Sequence, residues 1–116
     1  MILPAIATVE EKSADEVVLI LDVPRGHSAF AGHFPTRPIL PGVVQIDWAV
    51  RLGDTFLHTG QTVATDFQVK FSKLFEPGPN LILRLKLDRA RASLVFEYCA
   101  GDQPVSSGRI KLTGAP

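Results

Sequence analysis

Between Pro41 and Gly60 the chain carries Val43, Val44, Ile46, Trp48, Ala49, Val50, Leu52, Phe56 and Leu57. A period of 3.6 spreads these residues over every side of a helix of about four to five turns. A helix apolar all round cannot lie on a surface, so the rest of the chain must cover it. Pro41, with its fixed φ, suits the first helical position, and Gly60 in His58-Thr59-Gly60 suits a left-handed closing position.

Strand patterns flank this helix. Ile6 to Val23 reads as two short strands with a polar break at Glu10–Asp15. The second, Val17 to Val23, is nearly continuously apolar, as expected with both faces covered. Pro24 to Leu40 has neither period and is a loop. Beyond Gly60, Val63, Thr65, Phe67, Val69 and Phe71 alternate with Ala64, Asp66, Gln68, Lys70 and Ser72, and Glu76–Asn80 has turn composition. Leu81 to Asp88, Leu94 to Ala100 and Val105 to Leu112 continue the alternation, with a turn at Gly101–Pro104. Two strands, a loop, one helix and four strands predict an α+β chain in which one curved antiparallel six-stranded sheet wraps one buried helix. The outer face of that sheet is too apolar in places to be wholly solvated, which points to a dimer.

Composition removes several function classes. The 116 residues are expected to form a single domain, 1–116. Lys plus Arg and Asp plus Glu both number 12, so no net charge draws the chain to nucleic acid or to an anionic membrane. No apolar run approaches the roughly eighteen residues of a membrane span. Met1-Ile2-Leu3-Pro4 lacks the features of a signal peptide, and Cys99 is the one cysteine, so a cytoplasmic chain without disulfides is expected. With no thiolate cluster, and with His27 and His58 lacking partners at ligand spacing, no metal is expected.

The chemistry gathers where the loop enters the helix. Pro35, Pro38 and Pro41 recur every third residue and stiffen the segment that carries His33. Leu40 has no side-chain oxygen to cap the helix, so the N–H groups of Gly42, Val43 and Val44 are available to an anion or a polarised carbonyl. Gly42 lets a ligand approach its backbone closely. Asp47 falls in the stripe of Val43, Ile46 and Val50, where an unpaired carboxylate costs several kcal/mol to bury. It should therefore pair with Arg51 at i+4 or hold a proton. His33, Asp47 and the free amides together make an acid–base set beside an oxyanion site.

The string His33-Phe34-Pro35-x-x-Pro38-x-x-Pro41-Gly42-Val43, with an acid at 47, closely resembles the hot-dog 3-hydroxyacyl-[acyl-carrier-protein] dehydratases of fatty-acid synthesis. Phe30-Ala31-Gly32 resembles that family's lead-in, and Val69-Lys70-Phe71 followed by Glu76-Pro77-Gly78 is similar to its third-strand signature. Within the superfamily, His27-Ser28-Ala29-Phe30 and Gln45-Ile46-Asp47-Trp48-Ala49 look most like the small dehydratase-like proteins of aryl-polyene gene clusters.

The resemblance implies a hot-dog fold and a dimer with acyl tunnels along the interface, either a homodimer or a heterodimer with a related hot-dog subunit. It implies that His33 of one subunit meets Asp47 of the other. His33 would take the C2 proton of a 3-hydroxyacyl thioester, the Gly42 amide would hold the thioester oxygen, and Asp47 would assist departure of the 3-hydroxyl. Phe34, Pro41, Val43, Arg51 and Phe71 are expected to contact substrate. The substrate would arrive on the phosphopantetheine of acyl carrier protein, with no cofactor of the enzyme's own, and Arg25, Arg37, Lys70 and Lys73 could form a basic patch for that partner. Two positions depart from the family. The acid is Asp47 where glutamate is commoner, and Arg51 stands where many members have glutamine, so tight pairing would weaken the acid. A hot-dog acyl thioesterase and a non-catalytic partner subunit of a related dehydratase are the alternative readings.

Overall fold

A computed structural model describes residues 2–27, 39–76 and 78–113, with only the backbone of Pro79. The elements are β1 (Ala5–Ser13), β2 (Glu16–Val23), α1 (Gly42–Leu57), β3 (Phe67–Phe71), β4 (Gly78–Asp88), β5 (Ser93–Ala100) and β6 (Gln103–Lys111). The strands form one antiparallel sheet in the order β1-β2-β4-β5-β6-β3, with α1 against one face. This is the hot-dog arrangement expected from the sequence.

The register explains how the sheet fits the helix. One inward row runs Leu19, Leu83, Tyr98, Ser106, Phe71, and a second runs Val17, Leu85, Phe96, Gly108, Val69. Nearly all of the strand residues in the first row are fully buried, Phe71 at the edge being the exception. Val44, Ile46, Trp48, Ala49, Val50, Leu52 and Leu57 of α1 complete the core. Closeness of approach is set by small residues. A Cβ on Gly53 would come within 2.7 Å of Leu94, and one on Gly108 would meet the Gln68 carbonyl at 2.6 Å.

Four boundaries differ from expectation. β1 runs through Glu10-Glu11-Lys12, because this edge strand is exposed on both faces and its charges stay in water; only Ala14 and Asp15 form the turn. β4 starts inside the expected turn, since Leu21 pairs with Leu81 but Val23 with Gly78, a bulge in which Asn80 takes φ 63°. β6 starts at Gln103, because Gly101 at φ 63° reverses the chain in two residues. β3 covers only Phe67–Phe71, and the preceding Val63 is exposed.

The outer face of the sheet is mixed, and Ile20, Ile82 and Cys99 form a half-buried apolar row across it. The row Lys70, Ser107, Glu97, Arg84 on the outer face is polar, with Arg84 and Glu97 3.5 Å apart. Large exposed apolar groups include Phe67 and Phe71 on the helix side of β3, Val43 at the start of α1, Val63 and Leu74, and, at the other edge of the sheet, Ile2 with Ile6 and Val9 of β1. The edges of the inner face thus carry exposed apolar surface in addition to the half-buried apolar row of the outer face.

Candidate functional site

Helix α1 opens in a groove of about 420 Å³ lined by Ile39, Leu40, Pro41, Gly42, Gln45, Phe71, Ser72, Lys73 and Leu74. One wall is the turn entering the helix and the other is the end of β3 with the segment after it. Backbone hydrogen bonds fix both walls. Leu40 N–H donates to Phe75 O at 2.9 Å, and the N–H groups of Ser72 and Lys73 donate to Val105 O at 2.8 and 3.1 Å. The Lys73 ammonium donates to Gln103 Oε1.

Pro41 is the N-cap rather than the first helical residue, with extended φ and ψ of −62° and 146°, and no side chain caps the helix. Its carbonyl accepts from the N–H of Val44 and of Gln45, at 3.1 and 3.2 Å. Val44 is thereby satisfied, contrary to expectation, because the first turn tightens locally. The Gly42 and Val43 amides have no acceptor among the described residues, and the positive end of the helix lies at the groove. Gly42 is needed for a different reason than the approach of a ligand. A Cβ there would lie 2.6 Å from Phe71 Cζ, so in this structure the aromatic ring occupies the space that the missing side chain leaves.

Asp47 does not line this groove. Five residues after Gly42, it lies about 7.5 Å further along the helix and about 140° around it. Its Oδ2 is shut off from water, with no hydrogen-bond partner among the described residues. Arg51 Nη1 stands 3.5 Å from that oxygen, one turn on, making an ion pair that is too loose to count as a hydrogen bond. Val43 is exposed and lies outside the groove lining. His33 and Phe34, and Arg37 of the basic set, lie outside the described residues.

Sequence reasoning assigned no role to Gln45, which is 3% exposed. Gln45 Nε2 donates to Leu40 O at 3.2 Å, and Gln45 Oε1 accepts from Ser106 Oγ at 2.7 Å. The Gln45 carbonyl accepts from the Tyr98 hydroxyl at 2.7 Å. Burial pushes the Tyr98 phenol well above its ordinary range, and the negative charge of Asp47 adds to the push, so Tyr98 is a lasting donor. The signal that flagged Asp47, a polar residue inside an apolar helix, was equally present at Gln45.

A second anchor lies beside Asp47. Trp48 Nε1 donates to Ile2 O at 3.2 Å, His27 Nε2 donates to Leu3 O at 3.3 Å, and the two rings meet edge to face at 5.4 Å. These contacts pin the N-terminal segment against the helix, which gives His27 a structural place. No cluster of metal-ligating side chains occurs among the described residues, and none of their helices is long and apolar enough to cross a membrane.

Comparison with known proteins accords with this geometry. The family model described as ApeI-like, the ApeI dehydratase, matches residues 8–109. The dehydratase heterocomplex ApeI:P from Xenorhabdus doucetiae contains a chain 34% identical, with a TM-score of 0.87 over 95% of this chain and 97% of that one. An uncharacterized protein from Erwinia carotovora subsp. atroseptica is 35% identical, with a TM-score of 0.79 over 97% of both chains. The 3-hydroxyacyl-[acyl-carrier-protein] dehydratase FabZ of Syntrophobacter fumaroxidans is 33% identical over 92 residues, which cover 70% of this chain and 60% of that protein. The match spans about 60 to 66% of the length of that protein and of the FabZ proteins of Paracidovorax citrulli and Geobacillus thermodenitrificans.

Proposed function

This chain belongs to the ApeI-like dehydratase family, and from that premise we propose that it is one subunit of a hydro-lyase acting on 3-hydroxyacyl thioesters. The observation that carries the reading is the separation on α1 of the groove-lining Gly42 amide from the Asp47 oxygen that no hydrogen bond among the described residues satisfies. One chain offers an oxyanion site and an acid on different sides of the same helix. A second hot-dog subunit, packed on the exposed apolar edge at Phe67, Phe71, Val43 and Leu74, would bring each groove an acid from its neighbour.

In the proposed reaction the thioester oxygen accepts from the Gly42 N–H as negative charge develops on it. His33 takes the C2 proton, the C3–O bond breaks, and Asp47 gives a proton to the departing hydroxyl, so that water and a 2-enoyl thioester result. His33 ends with one proton more and Asp47 with one fewer, and exchange with solvent restores both. The chemistry calls on no cofactor, and the substrate would be carried on the phosphopantetheine arm of acyl carrier protein, in fatty-acid or polyene synthesis. The membership of a similar chain in a heterocomplex favours a related but distinct hot-dog subunit as the partner.

Incubation with a 3-hydroxyacyl carrier protein, followed by mass spectrometry, tests this reading. An acyl group lighter by one water supports it, whereas release of the free acid would establish a thioesterase. Turnover that appears only when a related hot-dog subunit is added, and that survives Asp47→Asn in this chain, would make the chain a non-catalytic partner.

A further inference from the structure

Gln45 ties the entry of the helix to the sheet. It is the polar residue between the groove and the core: its amide reaches back to the Leu40 carbonyl, one residue before the N-cap, and across to Ser106 in the middle of β6. Both partners are buried, Leu40 at 2% and Ser106 at 0% exposure. The orientation of the amide is fixed, since the Leu40 carbonyl accepts only and the NH2 end must face it. The Gln45 main-chain oxygen is itself held by the Tyr98 hydroxyl.

Leu40 is thus gripped on both sides, by Phe75 O on its N–H and by Gln45 on its carbonyl. Pro41 has no N–H to add a tie of its own. The peptide planes that lead to Gly42 are therefore set by the Leu40 carbonyl and, through it, by Gln45. A leucine at 45 would fill the same space on the buried side of the helix, without the desolvation that a buried amide costs. The cost of the amide is offset by placing one carbonyl, and that carbonyl adjoins the oxyanion site.

We propose that Gln45 is a positioning residue, which acts through the Leu40 carbonyl to hold the Gly42 N–H in the groove where a thioester oxygen binds. The inference rests on the dehydratase reading for its consequence in catalysis, but not for its structural content. Gln45→Met keeps the volume and removes both side-chain hydrogen bonds, and Ser106→Ala removes only the tie to the sheet.

For Gln45→Met, kcat on a 3-hydroxyacyl carrier protein is expected to fall about tenfold to a hundredfold while KM stays within about threefold, because a misplaced donor weakens the transition state more than the bound substrate. Ser106→Ala should lose less, since the bond to Leu40 remains. Amide hydrogen exchange followed by NMR is the second readout: the hydrogen-bonded amides of Leu40 and Val44 should exchange faster in Gln45→Met, while amides of β4 and β5 keep their wild-type rates. Unchanged kcat together with unchanged exchange at Leu40 and Val44 would overturn the proposal. Uniformly faster exchange across the sheet would also overturn it, in favour of a general role in stability. If the wild-type protein dehydrates nothing, the dehydratase reading fails, and the exchange measurement alone still decides whether Gln45 holds the helix entry.

Discussion

The Phe71 ring lies in the space that Gly42 leaves open, so that a single added methyl would sit 2.6 Å from Cζ and 2.8 Å from Cε1. The two residues are coupled across the groove, one on α1 and one on the edge strand. Phe71 is 53% exposed, so its ring can yield, but only by giving up contact with the helix start. Gly42→Ala is expected to destabilise by about 1 kcal/mol, the lower end of overpacking costs. In a Phe71→Ala background the same change should be neutral or slightly stabilising, as alanine normally is against glycine in a helix. Urea unfolding of the four proteins gives the coupling energy, and additive effects would show that the ring does not rest there in solution.

Asp47 carries an oxygen that neither water nor a hydrogen-bond donor among the described residues satisfies, and its ion pair with Arg51 is long at 3.5 Å. Such a pair, with both side chains about one-third exposed, contributes only about 0.3–0.5 kcal/mol. Removing the charge should relieve more than the pair supplies. Asp47→Asn is expected to raise stability by about 0.5–1 kcal/mol while turnover is lost, the usual trade between stability and a strained functional group. Thermal melts at neutral pH, set against dehydratase assays of the same samples, check both halves. Loss of stability in Asp47→Asn would mean that the carboxylate is a structural group.

How much of this was legible in the sequence follows from which forces are local. The all-round apolar helix and the alternation of β4, β5 and β6 record burial directly in residue order, so the wrapped helix could be read. The lengths of β1 and β4 could not, because an edge strand tolerates Glu10-Glu11-Lys12 and a bulge at Asn80 absorbs a turn-like stretch. At the site, the uncapped helix start was legible from Leu40 and Pro41, whereas the contact of Gly42 with Phe71 depends on a register between β3 and β6 that no local pattern encodes. Ser106 and Gln45 lie 61 residues apart and meet only through the fold.

The end of the helix offers a separate test. The sequence placed the left-handed closing residue at Gly60, but His58 takes it, at φ 56° and ψ 47°, with its N–H on Asp54 O at 3.0 Å. Gly60 follows at φ 74°, with its N–H held by Asp54 Oδ1 at 2.8 Å. The aspartate thus stops the helix two residues before the glycine. A non-glycine residue in this region costs about 1–2 kcal/mol, part of which glycine gives back as entropy of the unfolded chain. His58→Gly should therefore stabilise by about 0.5 kcal/mol, and His58→Ala should not. Equal stability of the two variants in chemical denaturation would argue against a left-handed His58.

Tyr98 is the one tyrosine of the chain, and its fully buried hydroxyl donates to Gln45 O. In the unfolded chain the phenol loses its proton near the ordinary value of 10.0, whereas in the folded chain burial and the Asp47 charge hold the proton to well above that. Between those two values the unfolded state binds fewer protons than the native state, so stability must fall as pH rises. Below about pH 10 the contribution is complete and the slope from this group is zero. Two results are expected. Tyrosinate absorbance in the native protein should appear only with unfolding, not as a separate titration. Tyr98→Phe should cost about 1 kcal/mol at neutral pH for the lost hydrogen bond, yet show a flatter decline of stability on the alkaline side. A reversible tyrosinate signal near pH 10 in the folded protein would place the hydroxyl in water and undo the link between Tyr98, Gln45 and the helix turn that carries Asp47.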